Sequence, residues 1–166
     1  MKTALACLLL AAPALAESAG GISWTAPASW KADAPRPMRV ATYLVPDAKS
    51  DSEGAECGVF YFGQGQGGSV DANIQRWVGQ FEAVKPPAPK KERIAGFEVT
   101  LVEVNGTFNA SMGGPMGPKT PRPGYKLLGA IVEGPNGNVF FKLTGPAKAV
   151  EAARGDFMKM LKGAKK

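Results

Sequence analysis

The sequence predicts an α+β fold: an antiparallel-rich β-sheet of about six strands with two main helices packed on it. Three observations carry this expectation. Segments with strand-like alternation and segments with helical spacing follow in the order β-β-β-α-β-β-β-α, without the regular βαβ alternation of a parallel sheet. Two β-rich apolar runs, Tyr125 to Glu133 and Val139 to Thr144, flank the turn sequence Pro135-Asn136-Gly137-Asn138 and read as a hairpin. A stretch near the middle places apolar residues at the i, i+3, i+4, i+7 positions of an amphipathic helix, and the C-terminal end reads as a second helix with Val150, Phe157 and Leu161 inward.

The elements follow in order. Ile22 to Thr25 is a short first strand ended by Pro27, with Trp30 turned back on the core. Met38 to Val45 alternates Val40, Thr42 and Leu44 against Arg39, Ala41 and Tyr43, as a strand does. Asp47 to Glu56 is acidic and small, hence a loop. Cys57 to Phe62 is apolar on both faces apart from Gly58, which suits a central strand covered on both sides. Gly63 to Gly68 is a loop, and Ser69 is placed to cap a helix from Val70 to about Phe81 with Ile74, Trp77, Val78 and Phe81 inward. The prolines between Ala83 and Lys91 make a surface linker. Ile94 to Phe108 reads as one long strand whose alternation changes phase near Leu101-Val102, the mark of a bulge or sharp twist. Gly and Pro make 109–124 an extended loop. Ala147 to Leu161 closes the chain as a helix with Val150, Phe157 and Leu161 inward and lysines toward its end, where they suit the helix dipole.

The first residues have a different character. Lys2 precedes an uncharged run from Thr3 to Leu15, and Ala14-Leu15-Ala16 is a small-x-small cleavage pattern before Glu17. This is the order of a secretory signal peptide, too short for a membrane span. The expected organisation is a leader over residues 1–16 and a single α+β domain over 17–166, exported to the periplasm or beyond, with no transmembrane segment. Removing the leader leaves Cys57 as the lone cysteine, so no internal disulfide can form. The chain has no histidine, which removes Ser-His-Asp and Cys-His catalysis and the commonest zinc sites. A net charge of +6 comes from scattered Lys and Arg without a basic stripe interleaved with aromatics, so no nucleic acid partner is expected.

Several residues are candidates for binding. Gly63-Gln64-Gly65-Gln66-Gly67-Gly68 fits G-x-G-x-x-G between a strand and a helix, but the acid about 20 residues on and the βαβ repeat are missing. Asn73, Arg76 and Gln80 share one side of the predicted helix, where Arg76 could hold a carboxylate or phosphate. Met112 and Met116 carry soft thioethers that suit cuprous ion, and as plain packing residues they would sit over an apolar surface. Cys57 reads as a buried small hydrophobe. Glu98, Glu103 and Glu133 would serve acid–base chemistry only in a cleft shared with Arg or Lys.

Larger stretches carry a resemblance. Ile22-Ser23-Trp24-Thr25-Ala26-Pro27 with Trp30, Met38-Arg39-Val40-Ala41-Thr42, Asn73 to Phe81, Gly106-Thr107-Phe108, Pro123 to Glu133 and Phe140 to Pro146 resemble bacterial exported proteins of uncharacterised function. The element order is similar to the α/β/α sandwich of PsbP, the extrinsic protein of the photosynthetic oxygen-evolving complex. That resemblance implies a binding or assembly protein without chemistry of its own, and it transfers no functional residue. The reading is therefore a non-enzymatic exported protein, with no cofactor, that binds a protein or a component of the cell envelope. Its binding face is expected to join Arg39, Arg76 and Gln80 with the 109–124 loop. The alternative is a periplasmic small-ligand or copper carrier using Met112 and Met116, or the glycine loop at Gly63 to Gly68.

Overall fold

The computed structural model describes residues 16–46, 54–83, 88–111 and 119–166. The predicted leader, apart from Ala16, lies outside these residues, as do Met112 and Met116. In chain order the elements are β1 (Ala16–Ala19), β2 (Ile22–Thr25), β3 (Lys31–Ala32), β4 (Ala41–Val45), β5 (Ala55–Phe60) and α1 (Val70–Val78). They continue with β6 (Phe81–Ala83), β7 (Lys90–Ile94), β8 (Phe97–Ser111), β9 (Lys119–Gly134), β10 (Gly137–Pro146) and α2 (Ala147–Lys162).

Strands β1 and β2 form a separate hairpin, and the other eight form one antiparallel sheet in the order β3-β4-β5-β10-β9-β8-β6, with β7 also pairing to β8. The class is the predicted α+β, but the main sheet has eight strands where about six were expected. The extra strands have no apolar alternation to announce them. Strand β3 is two residues long, β6 is three, and β7 reads Lys-Lys-Glu-Arg-Ile. The predicted strand from Ile94 is two strands: Ala95 and Gly96 turn at φ 52° and 84°, and Phe97 pairs back on Ile94. Of the expected loop at 109–124, residues 109–111 and 119–124 are instead strand, with Asn109 opposite Pro121 and Ser111 opposite Lys119, and 112–118 lie outside the described residues. The acidic loop after β4 is shorter than expected, since Ala55 and Glu56 already belong to β5.

The hairpin around Pro135-Asn136 forms where the turn sequence placed it, joining Gly134 to Gly137. Ser69 caps α1 by accepting a bond from the Ala72 amide at 3.1 Å. The helix stops at Val78 instead of Phe81, because Gly79 closes it and Phe81 has already entered β6 opposite Phe108. Val150, Phe157 and Leu161 of α2 are buried as the spacing predicted.

The helices lie on opposite faces of the sheet. One face of β5, β8, β9 and β10 presents Cys57, Val59, Val99, Leu128, Ala130, Val132, Phe141 and Leu143 to α2 and to Ile22 and Trp24 of the small hairpin. The other presents Val102, Val104, Leu127, Ile131 and Phe140 to Ile74 and Trp77 of α1. This arrangement explains the phase change in β8. No bulge lies at Leu101-Val102; Phe97 and Val99 pack toward α2, while Val102 and Val104 pack toward α1. The register shift of β8 comes later, between Gly106 and Phe108.

Candidate functional site

On the α1 face, β10 carries Lys142 between two glycines, Gly58 across on β5 and Gly129 across on β9. Neither glycine has space above it. A Cβ on Gly129 would lie 2.3 Å from the Trp77 ring, so Gly129 is the seat on which α1 docks. A Cβ on Gly58 would meet the Phe60 ring at 3.0 Å and the Arg39 guanidinium at 3.3 Å. Lys142 therefore stands between the indole of α1 and the Arg39 side chain. Its ammonium donates to the Gln80 amide oxygen and lies 5.6 Å from the centre of the Phe108 ring.

This trough unites two residues singled out in the sequence with one that was not. Arg39 bonds Glu56 at 2.6 Å and Thr42 at 3.3 Å, and stands 5.3 Å from the Phe60 ring centre. Gln80 sits in the turn after α1 rather than in the helix, which frees its side chain to reach Lys142. The joint face with the hairpin comes through Phe108, which stacks on Tyr125, and Tyr125 in turn lies under Arg122 at 5.7 Å. Arg76 does not join them. It bonds Asn73 on its own helix, and Asn73 is buried, donating to the carbonyls of Gly67 and Ser69. The glycine loop is thus pinned onto α1 through the Gly67 carbonyl.

Lys142 was missed because a lone lysine in an apolar strand looks like a solvated position. The signal that could have found it is its place between Phe141 and Leu143 on a strand buried on both faces. Removal from water, with Arg39 nearby and opposed only in part by Glu56, lowers its ammonium pKa to about 8. Two residues along, the Thr144 hydroxyl is buried and has no hydrogen-bond partner.

Beyond Arg39 the face is open. Met38, Val40 and Leu44 are 73%, 40% and 40% exposed and are the exposed large apolar side chains among the described residues. Val40 and Leu44 share the face of Thr42, and Met38 holds a left-handed backbone at φ 64°, a costly conformation for a side chain with a Cβ. Beside them an open cleft of 240 Å³ is lined by Asp33, Arg36, Arg39 and Thr42 among others.

The remaining candidates fall elsewhere. Cys57 is fully buried and its thiol is pushed well up by desolvation, so it is a packing residue. Glu103 does meet cations, at Lys126 (2.8 Å) and Arg154 (2.6 Å), but these tie β8 and β9 to α2 through Glu151. Glu98 and Glu133 are opposite each other across β8 and β9, with Arg93 at 3.5 Å from Glu98 in an exposed groove. Among the described residues no group of three or more Cys, Asp or Glu is placed to hold a metal ion, and no helix is long and apolar enough to cross a membrane.

No family model matches the chain, and no curated protein matches it. Among solved structures it is similar to cyanobacterial PsbP (CyanoP) from Synechocystis sp. PCC 6803, determined in solution, with a TM-score of 0.57. The likeness covers 96% of each chain at 10% identity. The fold is therefore PsbP-like, as the element order predicted.

Proposed function

We propose that the chain is an exported, non-catalytic binding or accessory protein that engages a protein of the cell envelope through the open half of its α1 face. The observation that carries this reading is the strip Met38, Val40 and Leu44. Three large apolar side chains exposed within seven residues, one of them on strained backbone, cost stability and gain nothing in the isolated domain. The strip is bordered by a fixed charge network, Arg36 paired with Asp33 and Glu56 and Arg39 paired with Glu56, which gives a partner an oriented polar edge beside the apolar strip. The PsbP-like resemblance implies the same class of role.

The test is site-specific photo-crosslinking in the host. A photoreactive residue at Leu44 should give one discrete adduct, while the same residue at Lys148 on α2 gives none. Met38→Ser with Val40→Ser should remove the adduct and leave the fold intact by circular dichroism. Equal adducts from Leu44 and Lys148, or an adduct indifferent to the double substitution, would refute the reading.

A further inference from the structure

The inner end of this face lacks one negative charge, and we propose that it is an oxyanion subsite in which Lys142 Nζ and Thr144 Oγ1 together hold a carboxylate or phosphate group. The inference deepens the reading above, resting on it for its biological use but not for its existence. Asp33 pairs with Arg36 at 2.5 Å, and Glu56 pairs with Arg39 at 2.6 Å and with Arg36 at 2.8 Å. Two carboxylates thus match two guanidiniums. Lys142 remains, and among the described residues it has no carboxylate partner, only the neutral Gln80 amide and the Phe108 ring. A half-buried ammonium without a counter-ion is a rare arrangement in a resting protein.

Thr144 supplies the second, independent observation. Its hydroxyl is buried and donates to nothing, and such orphaned groups mark a missing water, ion or ligand. It lies two positions from Lys142 on the same strand face, about 7 Å along β10. Directly across from it on β5 is Glu56, already engaged by both arginines. A hydroxyl and an ammonium two positions apart on one strand face can donate to different oxygens of a single oxyanion. Arg39, above Gly58, would add its field without having to leave Glu56. The aromatic rings of Phe60 and Phe108 flanking the site suit an anion carried on an apolar body.

The subsite can be tested without knowing the partner. The full chain, with 13C-labelled lysine, is titrated at pH 7 with sodium acetate and, separately, with sodium phosphate, each against sodium chloride at equal ionic strength. The Lys142 Cε resonance should shift saturably with at least one oxyanion and not with chloride. Acetate alone would identify a carboxylate site, and phosphate alone a phosphate site. Thr144→Val should weaken the response about tenfold or more, the loss expected for one hydrogen bond to a charged group. An equal shift with chloride, no saturation with either oxyanion, or full affinity in Thr144→Val would overturn the proposal. Since crosslinking at Leu44 uses neither residue, its outcome stays separate. If Thr144→Val unfolds, Lys142→Met read through the backbone amides of β10 serves instead, and a persisting saturable shift would overturn the proposal in the same way.

Discussion

The two faces of the main sheet are built from the same strands yet are finished differently. One is covered by the sixteen residues of α2 and by the β1–β2 hairpin, and the charged groups at its rim are paired across elements, Glu103 and Glu151 with Lys126 and Arg154. The other has only the nine residues of α1, which reach Gly129 and stop. Past that point the sheet keeps an ammonium without a counter-ion, an unpaired hydroxyl and three exposed apolar side chains. Covering a face maximises burial and sets stability, whereas leaving half of one open concentrates unsatisfied chemistry where a partner can meet it.

The largest effects should separate the covered and open regions. Phe157→Ala, in the α2 core with no exposed surface, should cost about 3–5 kcal/mol in urea unfolding. Gly129→Ala should cost about 1–3 kcal/mol or more, since the new methyl occupies the Trp77 ring position and α1 must lift. Met38→Ser and Val40→Ser, by contrast, should each change stability by no more than about 0.5 kcal/mol. If the open strip proved as costly to alter as Phe157, the division between a stabilising face and a recognition face would fail.

Lys142 sharpens the comparison through pH. Its folded pKa lies below the ordinary lysine value of 10.5, at about 8, so between these values the unfolded chain binds more protons than the folded one. Stability contributed at this residue therefore rises as pH goes from 8 to 10.5, and below pH 8 the folded protein carries the full cost of holding the charge. The groups that face it are Arg39, which adds to that cost, Glu56, which opposes it, and the neutral Gln80 and Phe108. Lys142→Met should raise stability at pH 7 by about 1–3 kcal/mol and flatten the rise above pH 8. The same substitution should abolish oxyanion binding, so stability and recognition would move in opposite directions at one residue.

What the sequence made legible follows the periods that burial imposes. The β9–β10 hairpin, the Ser69 cap, the inward stripe of α2 and the central place of β5 all rest on patterns with one physical cause, and each is found. Strands β3, β6 and β7 escaped because edge strands need backbone partners and not apolar side chains, and Lys90, Lys91, Glu92 and Arg93 look like a loop unless β8 is known to lie beside them. The phase change in β8 was visible but misassigned, since one strand's pattern does not say that two different helices cover its two faces. Of the candidate site, Arg39 and Gln80 were legible as polar groups with reach. Their meeting point, Lys142, depends on Gly58 and Gly129 being neighbours across three strands, a long-range fact that spacing along the chain does not encode.

The smallest expected effect tests the paired charges on the covered face. Hydrogen bonds from Arg154 first, and then Lys126, hold the Glu103 carboxyl below its ordinary value of 4.5. The folded state therefore releases this proton more readily than the unfolded one, so the stabilisation is complete above pH 4.5 and disappears as pH falls through the depressed value. Glu103→Gln should make acid unfolding less steep in this window, while at neutral pH the exposed part of the network limits the loss to a modest one. Acid titration followed by circular dichroism would read this directly. An unchanged acid limb would mean that Lys126 and Arg154 are satisfied by Glu151 alone, making Glu103 a bystander. A large loss at neutral pH would mean instead that the clamp of α2 onto β8 and β9 is electrostatic, and that the apolar contacts of Val150, Phe157 and Leu161 do less to hold that face closed than their burial implies.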